Sequence, residues 1–385
     1  MFLLKLLLKN PIRHKLRTSL TVLGIAIAIL AFGMLRTVVS AWYAGVEASS
    51  ANRLVTRNSI SIIFTLPISY KEKIRQVDGV SVVSWANWFG GVYIDEKNMV
   101  PNFAIDPKTY FELYPEYVLP EDELNAFIRD RKGFVAGRKL ADRFGWKIGD
   151  EIILKGTIFP GNWPMTLRGI YHGRTNSTDE SQLFFQWDYL NETMKKTVPR
   201  RADQVGWYMI GIRDPDRAAE VAEAVDNTFK DSMAETLTET EKAFQMDFVS
   251  MTEAIVIAIQ LVSFVVIVII MAVTANTMGM TARERIGEYA VLKTIGFGPG
   301  HIVFLIAGES LFISMLGTLV GIAVTFPAAH AFADKMGSFF PIFNISDTTI
   351  WLDVAAGVLV GVVAAAFPAW RAVRIRIADG LRRIG

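Results

Sequence analysis

Residues 254–280 read AIVIAIQLVSFVVIVIIMAVTANTMGM, an apolar stretch in which no side chain is charged. A helix that crosses the roughly 30 Å hydrocarbon core of a bilayer needs about 20 such residues, because each residue adds about 1.5 Å. Comparable stretches occupy residues 18–41, 301–332 and 350–369. Buried helices of a large soluble protein are the alternative, but they are seldom this long and this free of charge. The sequence therefore predicts four transmembrane helices.

The four stretches are unevenly spaced, because a long and mostly polar segment, residues 42–253, separates the first from the second. Short strand and helix patterns alternate within it, which predicts an α+β domain outside the bilayer. Prolines in its middle indicate a subdomain inserted at about residues 106–203. Residues 41–57 and 230–253 contain few helix breakers, and we expect them to continue the first two spans as helical stalks.

Basic residues are concentrated on one side of the predicted spans. Residues 1–17, 281–300 and 370–385 are rich in Lys and Arg, whereas Lys335 is the one basic residue of the loop at 332–349. The positive-inside rule therefore predicts that both termini are cytoplasmic. Between Glu47 and Glu253 there are 25 basic and 31 acidic residues, a net charge of −6, which leaves +8 for the rest of the chain. The basic side is expected to face anionic lipid, and no nucleic-acid partner is predicted.

The N-terminal segment, residues 1–17, sets leucines against lysines and arginines. This pattern predicts an amphipathic helix on the inner leaflet. A frayed start of the first span explains it nearly as well. A signal peptide is a further alternative, since Val39-Ser40-Ala41 resembles a cleavage site. We expect the segment to be retained.

The sequence contains none of the common catalytic or metal-binding patterns. There is no cysteine, and the four histidines, His14, His172, His301 and His330, do not pair at metal-ligand spacing. Neither a G-x-S-x-G elbow nor a G-x-x-x-x-G-K-[ST] phosphate loop occurs. A membrane-anchored enzyme or receptor is therefore disfavoured. Energy-dependent work by this protein would require nucleotide chemistry from another chain.

A charged helical pattern follows the second span, where residues 281–298 read TARERIGEYAVLKTIGFG. On a helix, Ile286, Ala290 and Ile295 form an apolar stripe, and charged side chains occupy the rest. Such a helix fits a groove on a partner protein. A solvated helix that packs on lipid headgroups explains the pattern nearly as well, so periodicity alone leaves both interpretations open.

The run from Arg283 to Gly296 resembles the R-x-[RK]-E-I-G-x-[LM]-[RK]-A-x-G signature of MacB, LolC and FtsX-type permeases, the membrane subunits of type VII ABC transporters. Residues 10–26, 137–154 and 368–372, together with Glu309, are similar to further motifs of that family. Two departures stand out. Arg285 replaces the acidic residue that precedes Ile-Gly in the signature, and the tail lacks the family's proline before Leu-Arg.

The resemblance implies a permease that has no enzymatic activity of its own. Its partners would be ABC ATP-binding subunits, which bind ATP and Mg, and a second permease copy that makes a homodimer or a heterodimer with a paralogue. ATP hydrolysis would move the outer domain, a mechanism called mechanotransmission, to export or extract a substrate at a bacterial inner membrane. Whether a periplasmic adaptor and an outer-membrane channel complete the path is left open. An FtsX-like regulator of a cell-wall hydrolase is the alternative function.

Three groups of candidate residues follow from these motifs. Coupling to the ATPase is assigned to Arg283, Glu284, Arg285, Ile286, Gly287, Glu288, Leu292, Lys293 and Gly296. Membrane packing or a dimer interface is assigned to Glu309 and to the small residues of two G-x-x-x-G motifs, Gly317, Gly321, Gly357 and Gly361. The cytoplasmic tail contributes Pro368, Arg371, Leu381 and Arg382.

Overall fold

The computed structural model describes residues 15–95, 100–336, 340 and 342–374. Most of the amphipathic helix predicted for residues 1–17 lies outside these ranges, as do Leu381 and Arg382. The chain divides into two compact units. We call one the sheet domain, which is mainly Trp42–Met251. We call the other the helical unit, which contains the described residues up to Ala41, Thr252–Lys335 and the described residues from Phe343 onward.

The described part of the chain contains the following α-helices, numbered in chain order: α1 (Lys15–Ala48), α2 (Tyr70–Ile74), α3 (Pro107–Leu113), α4 (Glu121–Arg129), α5 (Arg138–Phe144), α6 (Trp187–Thr197), α7 (Ala218–Phe229), α8 (Glu241–Ser250), α9 (Glu253–Glu284), α10 (Ile286–Thr294), α11 (Pro299–Met336) and α12 (Asp347–Val373). Short 3₁₀ helices cover Pro199–Arg201 and Pro215–Arg217.

Four of these helices, α1, α9, α11 and α12, are long and apolar enough to cross a membrane. This confirms the four predicted apolar helices. Each helix extends beyond its predicted apolar stretch, most clearly α1, which runs to Ala48. Helical hydrogen bonds form between backbone groups, so a helix continues through polar residues after the apolar segment has ended.

The sheet domain is built on one large mixed sheet. Its strands are β1 (Arg53–Asn58), β3 (Val80–Trp88), β4 (Gly91–Tyr93), β5 (Asn102–Ile105), β6 (Tyr117–Val118), β7 (Gly133–Gly137), β8 (Glu151–Gly156), β9 (Gly161–Gly173), β10 (Leu183–Gln186), β12 (Trp207–Ile212) and β13 (Thr236–Thr240), and a separate pair joins β2 (Leu66–Pro67) to β11 (Gln204–Val205). The order is β13-β1-β12-β3-β5-β10-β7-β9-β8-β4, with β6 paired to β9. The pairs β5–β10 and β7–β9 are parallel and the others antiparallel.

Side chains of the large sheet belong to two cores. Along β12, Tyr208 and Ile210 are part of one core, whereas Met209 between them packs in the other with Tyr110 and Phe184. Successive residues of a strand point to opposite faces of a sheet. The two cores therefore cover the two faces, and the mixed α+β prediction for this part of the chain is confirmed.

The helical stalks predicted for residues 41–57 and 230–253 are wrong in part. Helix α1 ends at Ala48, and residues 53–58 form β1, which pairs antiparallel with β13. Leu, Val and Thr dominate these two strands, and such side chains favour extended backbone where one face is buried. Within the two segments, residues 41–48, residues 241–250 and Glu253, the first residue of α9, are helical.

The inserted subdomain predicted for residues 106–203 is not a separate body. Its strands β7, β8, β9 and β10 belong to the same sheet as β1, β3, β12 and β13, and they join the rest of it where β10 pairs with β5 and where β8 pairs with β4. The prolines of this segment lie in turns or at the starts of helices rather than at a domain boundary, apart from Pro164, which lies within β9. These strands form one domain because they pair with strands that are distant in sequence, and proline spacing does not reveal such pairing.

Candidate functional site

The predicted coupling segment in the helical unit is a jointed pair of helices. Helix α9 continues to Glu284, Arg285 forms the joint, and α10 runs from Ile286 to Thr294. Gly296 ends the segment with a φ of 99°, a left-handed conformation that glycine adopts without strain. The amide of Phe297 then donates to the carbonyl of Leu292, which closes the helix end.

Arg285 ties this joint to α11. Its Nη1 donates to Glu309 Oε2 at 2.6 Å and its Nε to Glu288 Oε2 at 2.9 Å. Burial lowers the pKa of Arg285, but the neighbouring Tyr289, Glu309 and Glu288 raise it above its ordinary value. The structure thus brings together two predicted coupling residues and the predicted membrane carboxylate. Glu309 is buried, and the guanidinium offsets its charge.

Two further interactions hold the segment to its own chain. Arg17 of α1 makes a bidentate ion pair with Glu284, with N–O distances of 2.7 and 2.8 Å. Lys293 Nζ donates to the carbonyls of Ala372 and Val373, the last residues of α12, at 3.4 and 2.9 Å. A cation at a helix C-terminus is favourable. Lys293 therefore caps α12 rather than pointing away from the unit.

The two faces of α10 differ in their surroundings. Tyr289 and Ala290 are each 2% exposed and face the helical unit, where Tyr289 packs with Ile302, Ala369 and other apolar side chains. Burial raises the pKa of Tyr289 to about 12, so this phenol stays neutral. On the other side, Val291 is 43% and Ile295 66% exposed. We call the exposed set Glu288, Val291, Thr294 and Ile295 the outer face of α10.

The residues predicted to couple to the ATPase differ in their exposure. Arg283, Glu284, Glu288 and Gly296 are exposed, whereas Ile286, Gly287 and Leu292 are half-buried and Arg285 is buried. The apolar stripe that placed Ala290 and Ile295 on one face is wrong, because Ala290 is buried and Ile295 is exposed. Residues five apart on a helix lie about 140° from each other around its axis. Val291 was missed; its spacing of four residues from Ile295 was the available signal.

The small residues of the G-x-x-x-G motifs pack helices of this chain against one another. Gly317 and Gly321 of α11 lie against Ile25 and Ile29 of α1. Gly361 of α12 accepts a hydrogen bond from Ser310 Oγ at 2.8 Å, and Gly357 accepts one from Ser314 Oγ at 2.6 Å. In the tail, Pro368 is buried inside α12 and Arg371 is exposed near its end.

We expect Gly357→Ala to destabilise the helical unit by about 1–3 kcal/mol, because its new Cβ would overlap Thr318 Oγ1 and come within 2.9 Å of Thr318 Cβ. Gly279→Ala is the matched control, since, among the described residues, no atom outside its own turn of helix lies within 4 Å of its Cβ position. That variant should be neutral or slightly stabilising, because alanine favours helix over glycine. Thermal unfolding of both purified variants measures the difference. Equal midpoints would show that α11 and α12 separate easily at this contact.

The sheet domain contains a second candidate site, a cavity of about 710 Å³. It lies on the face of the sheet that carries Met209, and α8 forms one side of it through Phe244, Gln245 and Phe248. Seven aromatic side chains form part of its other walls, namely Trp88, Phe103, Tyr110, Tyr114, Tyr117, Phe159 and Trp207. No motif pointed to this cavity, because its walls come from many short stretches of sequence between Val55 and Phe248.

An ion-pair cluster lies next to the cavity. Arg53 Nε donates to Glu241 Oε2 at 2.8 Å, and its Nη1 and Nη2 donate to Glu116 at 3.1 and 2.7 Å. The guanidinium also stacks over the ring of Tyr114 at 4.2 Å. Glu241 accepts a further hydrogen bond from the amide of Ser50. The cluster thereby connects the segment after α1, the start of α8 and the loop before β6.

The chain has apolar helices that fit a membrane, and a mixed-sheet domain stands between the first and second of them in the sequence. A jointed helix follows the second. This combination is typical of a polytopic membrane protein of permease type. The MacB-like periplasmic core domain model matches residues 18–228, more than half of the chain, and the FtsX-like permease C-terminal model matches residues 261–377. The chain therefore belongs to the MacB/FtsX-type permeases of ABC transporters. Membership implies an ATP-binding subunit as a partner and an extracytoplasmic location for the sheet domain.

Individual proteins are also similar to this chain. An uncharacterised ABC transporter permease of Methanocaldococcus jannaschii is 25% identical over 400 aligned positions, which cover 97% of this chain and 96% of the relative. The macrolide export ATP-binding/permease protein MacB of a Shewanella species is 24% identical over 59% of this chain and 35% of its own length. The crystal structure of the periplasmic region of MacB from Actinobacillus actinomycetemcomitans matches 53% of this chain and 95% of its own, with 10% identity and a TM-score of 0.40.

Proposed function

We propose that this permease converts ATP hydrolysis by a separate subunit into movement of its sheet domain, and thereby exports or extracts a substrate. The observation that carries the proposal is the outer face of α10. Two large apolar side chains, Val291 and Ile295, are exposed there beside the carboxylate of Glu288. An apolar pair flanked by charge is what a short helix presents when it enters a groove on a partner.

The opposite side of α10 supports a mechanical role. Arg285 joins it to Glu309 of α11, and Lys293 joins it to the last carbonyls of α12. Displacement of α10 by a partner would therefore act on two membrane helices through short, directed contacts. A flexible loop would absorb such a displacement instead.

Further parts of the proposal follow from charge and from family membership. Both termini and α10 are assigned to the cytoplasmic side of a bacterial inner membrane by the positive-inside rule. The working complex would contain two permease chains, identical or paralogous, and two ATPases that hold ATP and Mg. Adjacent helices of one chain use the four glycines of the G-x-x-x-G motifs, so a second permease copy would bind through other lipid-facing side chains.

We expect Ile295→Asp to reduce the amount of ATP-binding subunit that copurifies with the permease by about tenfold or more. A carboxylate in an apolar pocket of the partner loses the transfer energy of the side chain and adds a desolvation cost, and each 1.4 kcal/mol changes affinity tenfold. The measurement is the ratio of the two subunits after affinity purification from membranes. Ile295 is preferred to Glu288 because Glu288 also stabilises Arg285.

Ile60→Asp is the matched control, because Ile60 is 79% exposed but belongs to the sheet domain. It should leave the subunit ratio unchanged. Undiminished copurification of the Ile295→Asp variant would mean that the ATPase binds another surface, and the coupling role of α10 would have to be abandoned.

A further inference from the structure

The cavity of the sheet domain is large enough for a small-molecule ligand and is walled by suitable side chains. Its volume of about 710 Å³ falls within the roughly 300–1,000 Å³ that is usual for ligand sites. Four large apolar residues of its lining, Ile63, Trp88, Ile158 and Phe248, are exposed to solvent at 84, 38, 44 and 48%. Exposed apolar side chains beside a cavity indicate where an apolar ligand would enter.

The charge of the cavity lining limits which polar group an apolar ligand can carry. Among the lining residues that the structure describes, Glu241 is the one carboxylate, and none of them is Lys or Arg. Arg53 lies behind Glu241 but is shared with Glu116, so the cluster of three side chains keeps one net negative charge. The cavity is therefore unsuited to a ligand with a carboxylate, sulfate or phosphate group.

The aromatic walls have the same preference. Tyr110, Tyr114 and Tyr117 form a cluster with ring centroids 4.6–6.2 Å apart. Tyr114 also stacks on Arg53, which shows that a ring of this cluster accepts a cation on one face. Aromatic faces carry partial negative charge and attract ammonium groups, most strongly where water is excluded. A fitting ligand would place a cationic headgroup beside these rings and an apolar body against Phe103 and Trp207.

We propose that the cavity of the sheet domain binds a cationic amphiphile. Binding itself is independent of how the chain is driven; that the bound compound is the transported one rests on the proposed function. Phe244, Gln245 and Phe248 bring the ligand into contact with α8, which is separated from α9 by only Met251 and Thr252. Gln245 also lies beside Gly45 near the end of α1. A bound ligand would therefore contact or lie next to the residues that lead into the first two membrane helices.

The test uses the full chain, copurified with its ATP-binding subunit in lipid nanodiscs, and two photoactivatable probes. One probe is an alkyl-trimethylammonium with a diazirine on its dodecyl chain, and the other is the dodecyl sulfate with the same diazirine. Mass spectrometry maps the labelled residues. We expect the cationic probe to label residues 241–250 about tenfold more than the anionic probe, which corresponds to about 1.4 kcal/mol of discrimination.

Charge variants at one position make the test specific. Gln245→Lys should lower labelling by the cationic probe several-fold, whereas Gln245→Glu, which has nearly the same size, should preserve or raise it. Met209→Trp should lower labelling by both probes, because it fills the cavity. Equal labelling by the two probes, or labelling that none of these variants changes, would overturn the proposal.

The same samples separate this proposal from the proposed function. If the ATP-binding subunit copurifies and depends on Ile295 but the probe does not label the cavity, the coupling role stands and the ligand site falls. If the cationic probe labels the cavity but Ile295→Asp leaves the complex intact, the ligand site stands and the coupling role falls.

Discussion

Glu309→Gln is expected to lower the free energy of unfolding of the helical unit by about 3–5 kcal/mol, the usual effect of removing one partner of a buried ion pair. Glu309 Oε2 and Arg285 Nη1 are 2.6 Å apart, and both residues are less than 10% exposed. Among the described residues, the amide would leave the guanidinium with Glu288 as its one remaining charged partner, in a poorly hydrated position. Unfolding midpoints in mild detergent measure the effect.

Asp353→Asn is the matched control because Asp353 is a second buried carboxylate of the helical unit. It is 1% exposed, and its Oδ1 has no hydrogen-bond partner among the residues that the structure covers. An isosteric amide removes a group that is costly to bury when charged, so stability should be unchanged or raised. If Asp353→Asn proved as destabilising as Glu309→Gln, Asp353 would have to hold a partner of its own.

Arg53→Met is expected to destabilise the sheet domain by about 3 kcal/mol or more. Arg53 is 5% exposed and makes ion pairs with Glu241, which is 7% exposed, and with Glu116. Burial alone lowers the pKa of Arg53, but the hydrogen bond to Glu116 and the charge of Glu241 raise it well above its ordinary value. Methionine preserves the apolar stem but leaves Glu241 charged and unpaired in a buried position, which is strongly unfavourable. Tryptophan fluorescence during thermal unfolding reports the change.

Arg217→Met provides the comparison on the surface of the same domain. Arg217 makes ion pairs with Asp78 and Glu220, but its partners are mostly exposed and solvent screens them. No measurable change in the unfolding midpoint is expected. A loss of stability as large as that of Arg53→Met would show that burial is not what distinguishes the two arginines.

The membrane helices were predictable because their signal is local and strong. Residues 254–280 contain no charge, and a helix of that composition is stable only in a bilayer or a large core. The α+β character of the sheet domain was predictable for a similar reason, since periodicity within short segments reports the local backbone. The limits of the stalks were not, because residues 53–58 become a strand only by pairing with β12 and β13, more than 150 residues further along the chain.

The candidate site was predictable in outline but not in its contacts. The motif at Arg283–Gly296 located the segment, and its family signature indicated a partner. Neither the joint at Arg285 nor the pairing of Arg285 with Glu309 was visible, because it depends on how α9 and α11 pack. The Arg285 that departs from the signature finds its carboxylates within the same chain. Lys293 was assigned to a partner, yet it binds carbonyls 80 residues away.

Sequence alone determined where this protein crosses the membrane, which of its segments is outside it and which family it resembles. These properties depend on the transfer of side chains between water and lipid and on short motifs, which are additive along the chain. Tertiary structure decided which charges are paired, which face of α10 is free and where the sheet domain encloses a cavity. Those properties depend on distances between residues that are remote in sequence, and electrostatic energy and packing change steeply over a few ångströms.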